Sequence, residues 1–274
     1  MYKLKLLNSS KIIVRVLGGI GNQLYIYSFA FTLFHKYNKI VFLETRTGFV
    51  RDKYKRSYQL DNFTILLRKS SLYHSFFFVI KNRIPILIKL FYTNSLYYNE
   101  IENDISKVLF DNSNKTIYVD GLWQTSTITD FPSVLRSLFF KNEEVYKIKY
   151  KYIYNQIISS SSIAIHVRKL DFNESQSAEY YFEKLNAIKR VENDCQSLNI
   201  WLFSDDKQWS KEKIINKCSS INLVENELLL DIEELWLMSL CTTFILGKST
   251  FGYWAKYFSM SRYGNFELNH ENNF

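Results

Sequence analysis

The sequence contains few of the residues that break or cross-link a chain: 8 glycines, 2 prolines and 3 cysteines among 274 residues. Fibrous, collagen-like and low-complexity proteins need far more glycine or proline, so these classes are excluded and a globular chain is expected. Cys195, Cys218 and Cys241 are odd in number and show no short Cys-x-x-Cys spacing. They predict neither a disulfide framework nor a zinc site, and they indicate a reducing, cytoplasmic location.

Long uninterrupted apolar runs are also missing. The N-terminal residues combine basic side chains with short apolar runs and show no cleavage site, so no signal peptide is expected. The most apolar stretch, residues 75–92, is interrupted by charged residues and Pro85, and it falls short of the roughly 20 apolar residues that span a bilayer. Two interpretations stay open: buried helices around a proline-marked break, or a basic amphipathic segment that rests on a membrane surface.

By contrast, apolar residues (47%) and aromatic residues (17%) are abundant, and the net charge is +8. This apolar content can fill one large core or two ordinary ones, and we expect two domains. The charge favours an anionic partner: nucleic acid, a membrane surface or a diphosphate-bearing substrate. A nucleic-acid binder would interleave aromatic residues with Lys and Arg, whereas most Tyr and Phe here lie in core-like apolar runs. We therefore expect no nucleic-acid partner and keep that class as an alternative.

Strand-like and helix-like segments alternate along the chain, which predicts an α/β fold with parallel sheets. The predicted strands are residues 11–17, 39–43, 162–167, 199–203, 221–224 and 243–246, and the predicted helices are residues 22–37, 178–198, 231–241 and 250–258. A helical and serine-rich segment at 141–161 separates two similar halves. We expect two Rossmann-like domains that face each other across a cleft, residues 1–158 and 159–274.

Glycines follow the first predicted strand. Because ligands bind at the carboxyl ends of parallel strands, Gly18, Gly19 and Gly21 could let the backbone approach a diphosphate closely. The spacing is not that of a dinucleotide-binding fingerprint, and Glu44 is the only acidic residue at the end of the second strand. A tight strand-to-helix turn without a ligand is the alternative interpretation.

The strands of the second half end in a more specific set of polar residues. His166 and Arg168 lie on the same side of a strand end, since side chains alternate along a strand, and Asp171 follows. The planar guanidinium of Arg168 suits a diphosphate oxygen. Two further strand ends carry Ser204-Asp205-Asp206 and Ser249-Thr250; for the latter pair, plain helix capping is the alternative. Gly247-Lys-Ser-Thr is not a P-loop, because Thr242 stands where that motif requires glycine.

Taken in order, five segments resemble the α-1,2-fucosyltransferases, glycosyltransferase family 11. They are residues 18–30 (GGIGNQLYIYSFA), 121–128 (GLWQTSTI), 166–172 (HVRKLDF), 203–206 (FSDD, with Trp209) and 234–258 (ELWLMSLCTTFILGKSTFGYWAKYF). The wider group of α-1,6- and protein O-fucosyltransferases shares the His-x-Arg and the hydroxyl-Phe elements. The resemblance therefore implies a GT-B fold, a GDP-fucose donor and inverting fucose transfer without a cofactor or bound metal. The absence of an Asp-x-Asp motif agrees with this.

Roles of single residues follow from the resemblance alone. It implies that Arg168 grips the β-phosphate and the leaving oxygen, and that His166 and Asp171 hold the donor or the Arg168 loop. Glu234 stands where the family has Asp and would accept hydrogen bonds from guanine. The remaining donor contacts implied are Gly19, Gly21, Asn22, Ser204, Asp205, Ser249, Thr250 and Phe251. Asn22 would close over the donor from the first domain, which is expected to be the acceptor side.

The sequence departs from the family pattern at Lys169, Leu170, Glu234 and Lys248. The catalytic base is not identified, and Asp171 and Glu174 are the candidates in the loop after Arg168. We expect fucose transfer to a galactoside, α-1,2-linked, in lipopolysaccharide or oligosaccharide synthesis. The acceptor would be lipid-linked, and the enzyme would sit at the anionic inner face of the membrane. The alternatives are α-1,6 or O-linked fucose transfer, or an inactive relative that binds a sugar nucleotide.

Overall fold

The computed structural model describes residues 10–100, 114–124, 140, 143–169, 176–191, 198–225 and 229–263. The chain divides into two compact units, residues 1–131 and 132–274. This corrects the boundary expected near residue 158, because the segment before that residue packs on the second unit. There Tyr154 stacks on Trp236 with ring centroids 5.8 Å apart, and Lys149 pairs with Glu233 at 2.7 Å.

The first unit is a parallel sheet of five strands in the order β3-β2-β1-β5-β4. Its elements are β1 (Lys11–Leu17), α1 (Ile20–His35), β2 (Ile40–Gly48), β3 (Arg68–Lys69), α2 (Leu72–Arg83), α3 (Ile88–Phe91), β4 (Ser95–Asn99) and β5 (Thr116–Asp120), with 3₁₀ turns at Leu60–Asn62 and Pro85–Leu87. The central strand β1 buries Ile12, Ile13, Val14 and Val16, and α1 is buried along most of its length. A helix that is apolar on all sides belongs in a core, so α1 anchors this unit.

The second unit is a parallel sheet of four strands in the order β8-β7-β6-β9. Its elements are α4 (Glu143–Lys149), α5 (Lys151–Ile158), β6 (Ser162–Val167), α6 (Ala178–Val191), β7 (Asn199–Ser204), α7 (Lys207–Lys213), a 3₁₀ turn at Ile215–Lys217, β8 (Ile221–Leu223), α8 (Asp231–Met238), β9 (Thr243–Leu246) and α9 (Thr250–Tyr263). Every residue of β6 is buried, as expected for a central parallel strand covered by helices on both faces. The predicted α/β class is confirmed in both units.

Each sheet reverses its strand order at one place. In the first unit this switch point lies between β1 and β5, and in the second it lies between β6 and β9. The crevice outside the carboxyl ends of such strands is where open α/β sheets bind ligands. The glycine cluster follows β1, and the His166-Arg168 pair lies at the carboxyl end of β6, so the motifs found in the sequence lie at the two switch points.

None of the helices within the described parts of the chain is long and apolar enough to cross a bilayer.

Candidate functional site

His166 lies at the buried end of β6, next to the switch point of the second sheet. Its side chain is 3% exposed, and Phe251 in the first turn of α9 stacks on it with ring centroids 5.4 Å apart. Burial, with a smaller effect of the neighbouring Arg168 charge, lowers the pKa of His166 to about 3. The imidazole is therefore neutral at physiological pH. Its Nδ1 atom is buried and has no hydrogen-bond partner among the residues that the structure describes.

The start of α9 packs closely against this histidine because it contains glycine. A Cβ atom added at Gly252 would lie 3.1 Å from His166 Nδ1 and 3.0 Å from Leu246 Cδ2. The same applies to the turn before the helix, where a Cβ at Gly247 would lie 2.9 Å from the Tyr181 hydroxyl. Gly252 therefore permits the close approach of α9 to the end of β6, and Gly247 permits the turn before α9 to approach Tyr181 on α6.

Arg168 follows β6 directly and is held by the carboxylate of Asp205 at the end of β7. Arg168 Nε lies 3.3 Å from Asp205 Oδ2, and the backbone N–H of Lys169 donates to Asp205 Oδ1 at 2.8 Å. One carboxylate thus fixes both the guanidinium and the backbone that carries it. The Arg168 side chain remains 32% exposed, so a charged group is held in a set orientation at the edge of the sheet.

Glu234, in the first turn of α8, belongs to the same group of charges. Burial, together with the nearby carboxylates of Asp231 and Asp205, raises its pKa to about 7, while Lys207 and Arg168 act in the opposite direction. The carboxyl group therefore changes its charge close to neutral pH. A strongly perturbed carboxyl next to a fixed guanidinium is typical of a ligand-binding or catalytic position.

The hydroxyl groups predicted at the other strand ends stabilise local turns. Ser204 is 4% exposed; its hydroxyl donates to the carbonyl of Asp206 at 2.9 Å and accepts from Ser210 at 2.8 Å. The hydroxyl is thus engaged inside the β7–α7 turn, and its contact with the sugar-nucleotide donor stays a prediction. Ser249 accepts from the N–H of Gly252 at 3.4 Å, which agrees with the capping alternative. Thr250 is the first residue of α9 and is partly buried.

Sequence analysis did not assign the residues that support the Arg168 loop. Lys169 Nζ lies 3.9 Å above the centre of the Trp209 ring and donates to the carbonyl of Gln176 at 2.8 Å. Trp209 was noted only as a neighbour of the FSDD segment. Lys169, which stands where the family usually has Arg, therefore still places a cation over an aromatic ring.

In the first unit, Gln23 holds the glycine turn after β1. Gly18 has a φ of +79°, which favours glycine, and its carbonyl accepts from Gln23 Nε2 at 2.9 Å. Gln23 is fully buried; it also donates to the carbonyl of Ser57 at 2.8 Å and accepts from the N–H of Gln59 at 2.9 Å. The sequence pointed to Asn22, and the role of Gln23 was not predicted. The apolar residues next to Gln23 were the only sign in the sequence that it is buried.

Asn22 lies beside the turn that follows β5. Gln124 Nε2 donates to Asn22 Oδ1 at 3.1 Å, so two amide side chains meet at the switch point of this sheet. The turn itself is strained, because Trp123 has a φ of +54° while its buried ring stacks on Phe29 at 4.2 Å. Glu100 stabilises the turn by accepting from the N–H groups of Leu122 and Trp123 at 2.6 and 2.8 Å.

Glu44, at the end of β2, is fully buried and accepts four hydrogen bonds or more. Its carboxylate accepts from the N–H groups of Arg46 (2.9 Å) and Thr47 (3.2 Å) and from the hydroxyls of Thr47 (2.5 Å) and Ser75 (2.9 Å). A carboxylate saturated in this way stabilises the first unit, and it is not placed to bind a ribose.

The structure thus brings six predicted residues to the carboxyl edge of the second sheet: His166, Arg168, Asp205, Glu234, Ser249 and Phe251. Gly19, Gly21 and Asn22 lie at the corresponding edge of the first sheet. Asp171 and Glu174 lie outside the described residues. Within the described ranges, no group of three or more His, Cys, Asp or Glu side chains could hold a metal ion.

Comparison with known proteins places this geometry in a family. The model of glycosyl transferase family 11 matches residues 12–264. Two relatives from Escherichia coli are an alpha-1,2-colitosyltransferase, 23% identical over 90% of this chain and 87% of the relative, and the O-antigen biosynthesis glycosyltransferase WbnK, 23% identical over 87% of each.

Solved structures agree on the fold. The NodZ alpha-1,6-fucosyltransferase from Bradyrhizobium, soaked with GDP-fucose, aligns with a TM-score of 0.55 at 15% identity and covers 91% of this chain and 92% of its own. A mutant of Arabidopsis thaliana FUT1 in complex with GDP aligns with a TM-score of 0.55 at 12% identity, over 91% of this chain and 69% of its own. The likeness confirms the expected GT-B class. Because the family model spans nearly all of the chain, the protein belongs to glycosyl transferase family 11 and is a glycosyltransferase.

Proposed function

We propose that the second unit binds a GDP-sugar donor and that the enzyme transfers fucose from GDP-fucose to a sugar hydroxyl, with inversion and without a bound metal. The observation that carries the proposal is Arg168, held by Asp205 at the switch point of the second sheet. Three of the matching solved structures were determined with GDP or GDP-fucose, which supports this donor class.

In this proposal Arg168 binds the β-phosphate. The acceptor oxygen attacks the anomeric carbon on the face opposite the diphosphate, while the bond from that carbon to the β-phosphate oxygen breaks and its electron pair stays on GDP. The guanidinium stabilises this negative charge, which grows toward the transition state. The acceptor proton leaves to a base, for which Asp171 and Glu174 remain the predicted candidates.

Three further groups complete the donor site as proposed. Glu234 accepts hydrogen bonds from the guanine edge in its ionised form. His166 is neutral, so it contributes a hydrogen bond or packing rather than charge. Phe251, with Ser249 and Thr250, lines the phosphate and fucose. Gly19, Gly21 and Asn22 remain predicted donor contacts.

The acceptor is proposed to bind at the first unit. Gln124, which follows β5 and donates to Asn22, supports this, because an amide side chain can donate to and accept from sugar hydroxyls. We propose a galactoside acceptor, an α-1,2 linkage and a lipid-linked oligosaccharide at the inner membrane face. The name of one relative supports the α-1,2 linkage and that of the other supports O-antigen biosynthesis; the galactoside and the membrane face follow from the sequence resemblance and the charge alone.

One relative suggests a second donor, because its name specifies colitosyl transfer. Colitose is fucose without the 3-hydroxyl, so a GDP-colitose donor would differ from GDP-fucose at one polar group. GDP release by the purified protein is measured with GDP-fucose and with GDP-colitose, each in the presence of a galactoside acceptor. The ratio of the kcat/KM values for the two donors separates the two functions. A ratio that favours GDP-colitose by more than about tenfold would reassign the donor sugar.

The same assay distinguishes an enzyme from an inactive relative. Release of GDP from neither donor, with or without acceptor, while GDP itself binds, would identify a sugar-nucleotide-binding relative without transferase activity. For the acceptor side, Gln124→Ala is expected to raise the acceptor KM and to leave the affinity for GDP unchanged. A changed GDP affinity would place Gln124 in the donor site instead.

A further inference from the structure

The first unit carries a concentration of exposed apolar side chains on α2, α3 and the turn between them. We call it the α2–α3 surface; its residues are Leu72, Tyr73, Phe76, Val79, Ile84, Ile86, Leu90 and Phe91. Phe76 is 59% exposed, Ile86 72% and Leu90 70%. Single exposed apolar residues are ordinary, but a continuous group of this kind marks an interaction surface.

This surface is the outer side of a helix whose inner side is already in the core. Phe77 stacks on Tyr118 with centroids 3.6 Å apart, and Phe78 packs edge-on against the same ring at 5.6 Å. Leu72, Phe76 and Val79 recur at helical spacing on the other side of α2. The buried-helix interpretation of residues 75–92 therefore holds for one face of α2, which completes the core. The other face of α2 points outward.

The charge around the α2–α3 surface has one sign. From residue 62 to residue 99 the sequence contains Arg68, Lys69, Lys81, Arg83 and Lys89 and no Asp or Glu. Lys69 pairs with Asp61 at 2.5 Å, whereas Arg83 and Lys89 are exposed next to the apolar side chains, and Lys81 lies 3.6 Å above the Tyr97 ring. The surface is thus complementary to an anionic partner that can also accept apolar side chains.

We propose that the α2–α3 surface docks on an anionic lipid bilayer, with the helix lying in the plane of the interface. Aliphatic and aromatic side chains on one face, bordered by Lys and Arg, are the pattern of helices that bind at the headgroup level. Interfaces between proteins are depleted in Lys, whereas Lys and Arg border the apolar side chains here. Docking through this surface does not depend on the identity of the donor sugar. It would bring the enzyme to the bilayer in which a lipid-linked acceptor lies.

The test is co-sedimentation of the purified full-length protein with vesicles of phosphatidylcholine alone and of phosphatidylcholine with phosphatidylglycerol. We expect binding to the anionic vesicles, weakened by high salt because the charges are exposed. Ile86→Glu should reduce the bound fraction about tenfold, since it places a carboxylate in the apolar face. Val50→Glu is the matched control, because Val50 is 71% exposed in the same unit and lies outside the surface.

Several outcomes would overturn the proposal. They are no binding to anionic vesicles at low salt, equal loss of binding in the Ile86 and Val50 variants, or a dimer that Ile86→Glu dissociates while vesicles are not bound. The last result would assign the surface to a second copy of the chain. Thermal unfolding and GDP titration of each variant check the fold and the donor site, so a failure here is distinguishable from a failure of the proposed function.

Discussion

At the scale of single residues, the proposed transfer depends on the guanidinium of Arg168, which the carboxylate of Asp205 holds in place. Arg168 could be predicted from the sequence, because a His-x-Arg pair at a buried strand end places both side chains on one side. Its partner Asp205 could not be assigned this role. Their bond joins the ends of two neighbouring strands, and the order of strands in the sheet is not visible in a single sequence.

Removing this guanidinium should lower turnover strongly. Arg168→Ala is expected to reduce kcat by about 100- to 10,000-fold, the usual loss when a principal stabiliser of transition-state charge is removed. Arg168→Lys should retain only part of the wild-type turnover, because an ammonium group cannot reproduce the planar, two-pronged hydrogen bonding of a guanidinium. The measurement is steady-state GDP release, with Arg190→Ala, an exposed arginine at the end of α6, as control. Near-normal turnover of the alanine variant would refute the assignment.

The raised pKa of Glu234 predicts a pH dependence of GDP binding. Guanine presents N–H donors, so the ionised carboxylate binds it, and below the pKa of about 7 the carboxyl must first lose a proton. Affinity for GDP should therefore rise from pH 6 to pH 8. Well below the pKa, the affinity should fall about tenfold for each pH unit. Titration of GDP across this range tests it. Glu234→Gln should bind more weakly and lose this dependence; an unchanged pH profile in that variant would exclude Glu234 as its source.

At the scale of elements, the site depends on how closely α9 starts against the end of β6. Gly252→Ala is expected to weaken GDP binding about threefold or more, because the added methyl group would press on His166 and Leu246. Alanine favours the helix, so the free energy of unfolding should change by less than about 1 kcal/mol. Ser261→Ala, later in α9, is the control for helix propensity alone. Unchanged GDP affinity together with raised stability would show that this packing does not shape the site.

The turn after β2 offers a stability prediction in the first unit. Glu44→Ala leaves the buried donors of Thr47 and Ser75 without an acceptor and should cost about 3 kcal/mol or more of unfolding free energy. Chemical denaturation followed by tryptophan fluorescence measures the loss. Glu144→Ala, which removes an exposed carboxylate on α4, should change stability by less than about 0.5 kcal/mol. Similar values for both variants would contradict the buried network.

At the scale of the whole molecule, the alternating pattern of strands and helices was sufficient to predict the α/β class. It did not reveal β3 and β4, since β3 has two residues and β4 is only half-buried, so neither shows the run of buried residues that marks β1 and β6. It also missed β5, although Ile117, Tyr118 and Val119 at its centre are buried. The domain boundary was misplaced for a related reason. The hydrogen bond from Tyr150 to Glu233 joins residues 83 positions apart, and such long-range contacts decide which unit a helix joins.

The central claim, a guanine nucleotide site in the second unit that needs no metal, is tested most directly by calorimetric titration with GDP, UDP and ADP, each with and without EDTA. The predicted result is that GDP binds, unchanged by EDTA, and that UDP and ADP do not, because in the proposed site Glu234 would accept from guanine and Arg168 would bind the diphosphate. Absence of GDP binding, a preference for UDP or ADP, or binding abolished by EDTA would contradict the account.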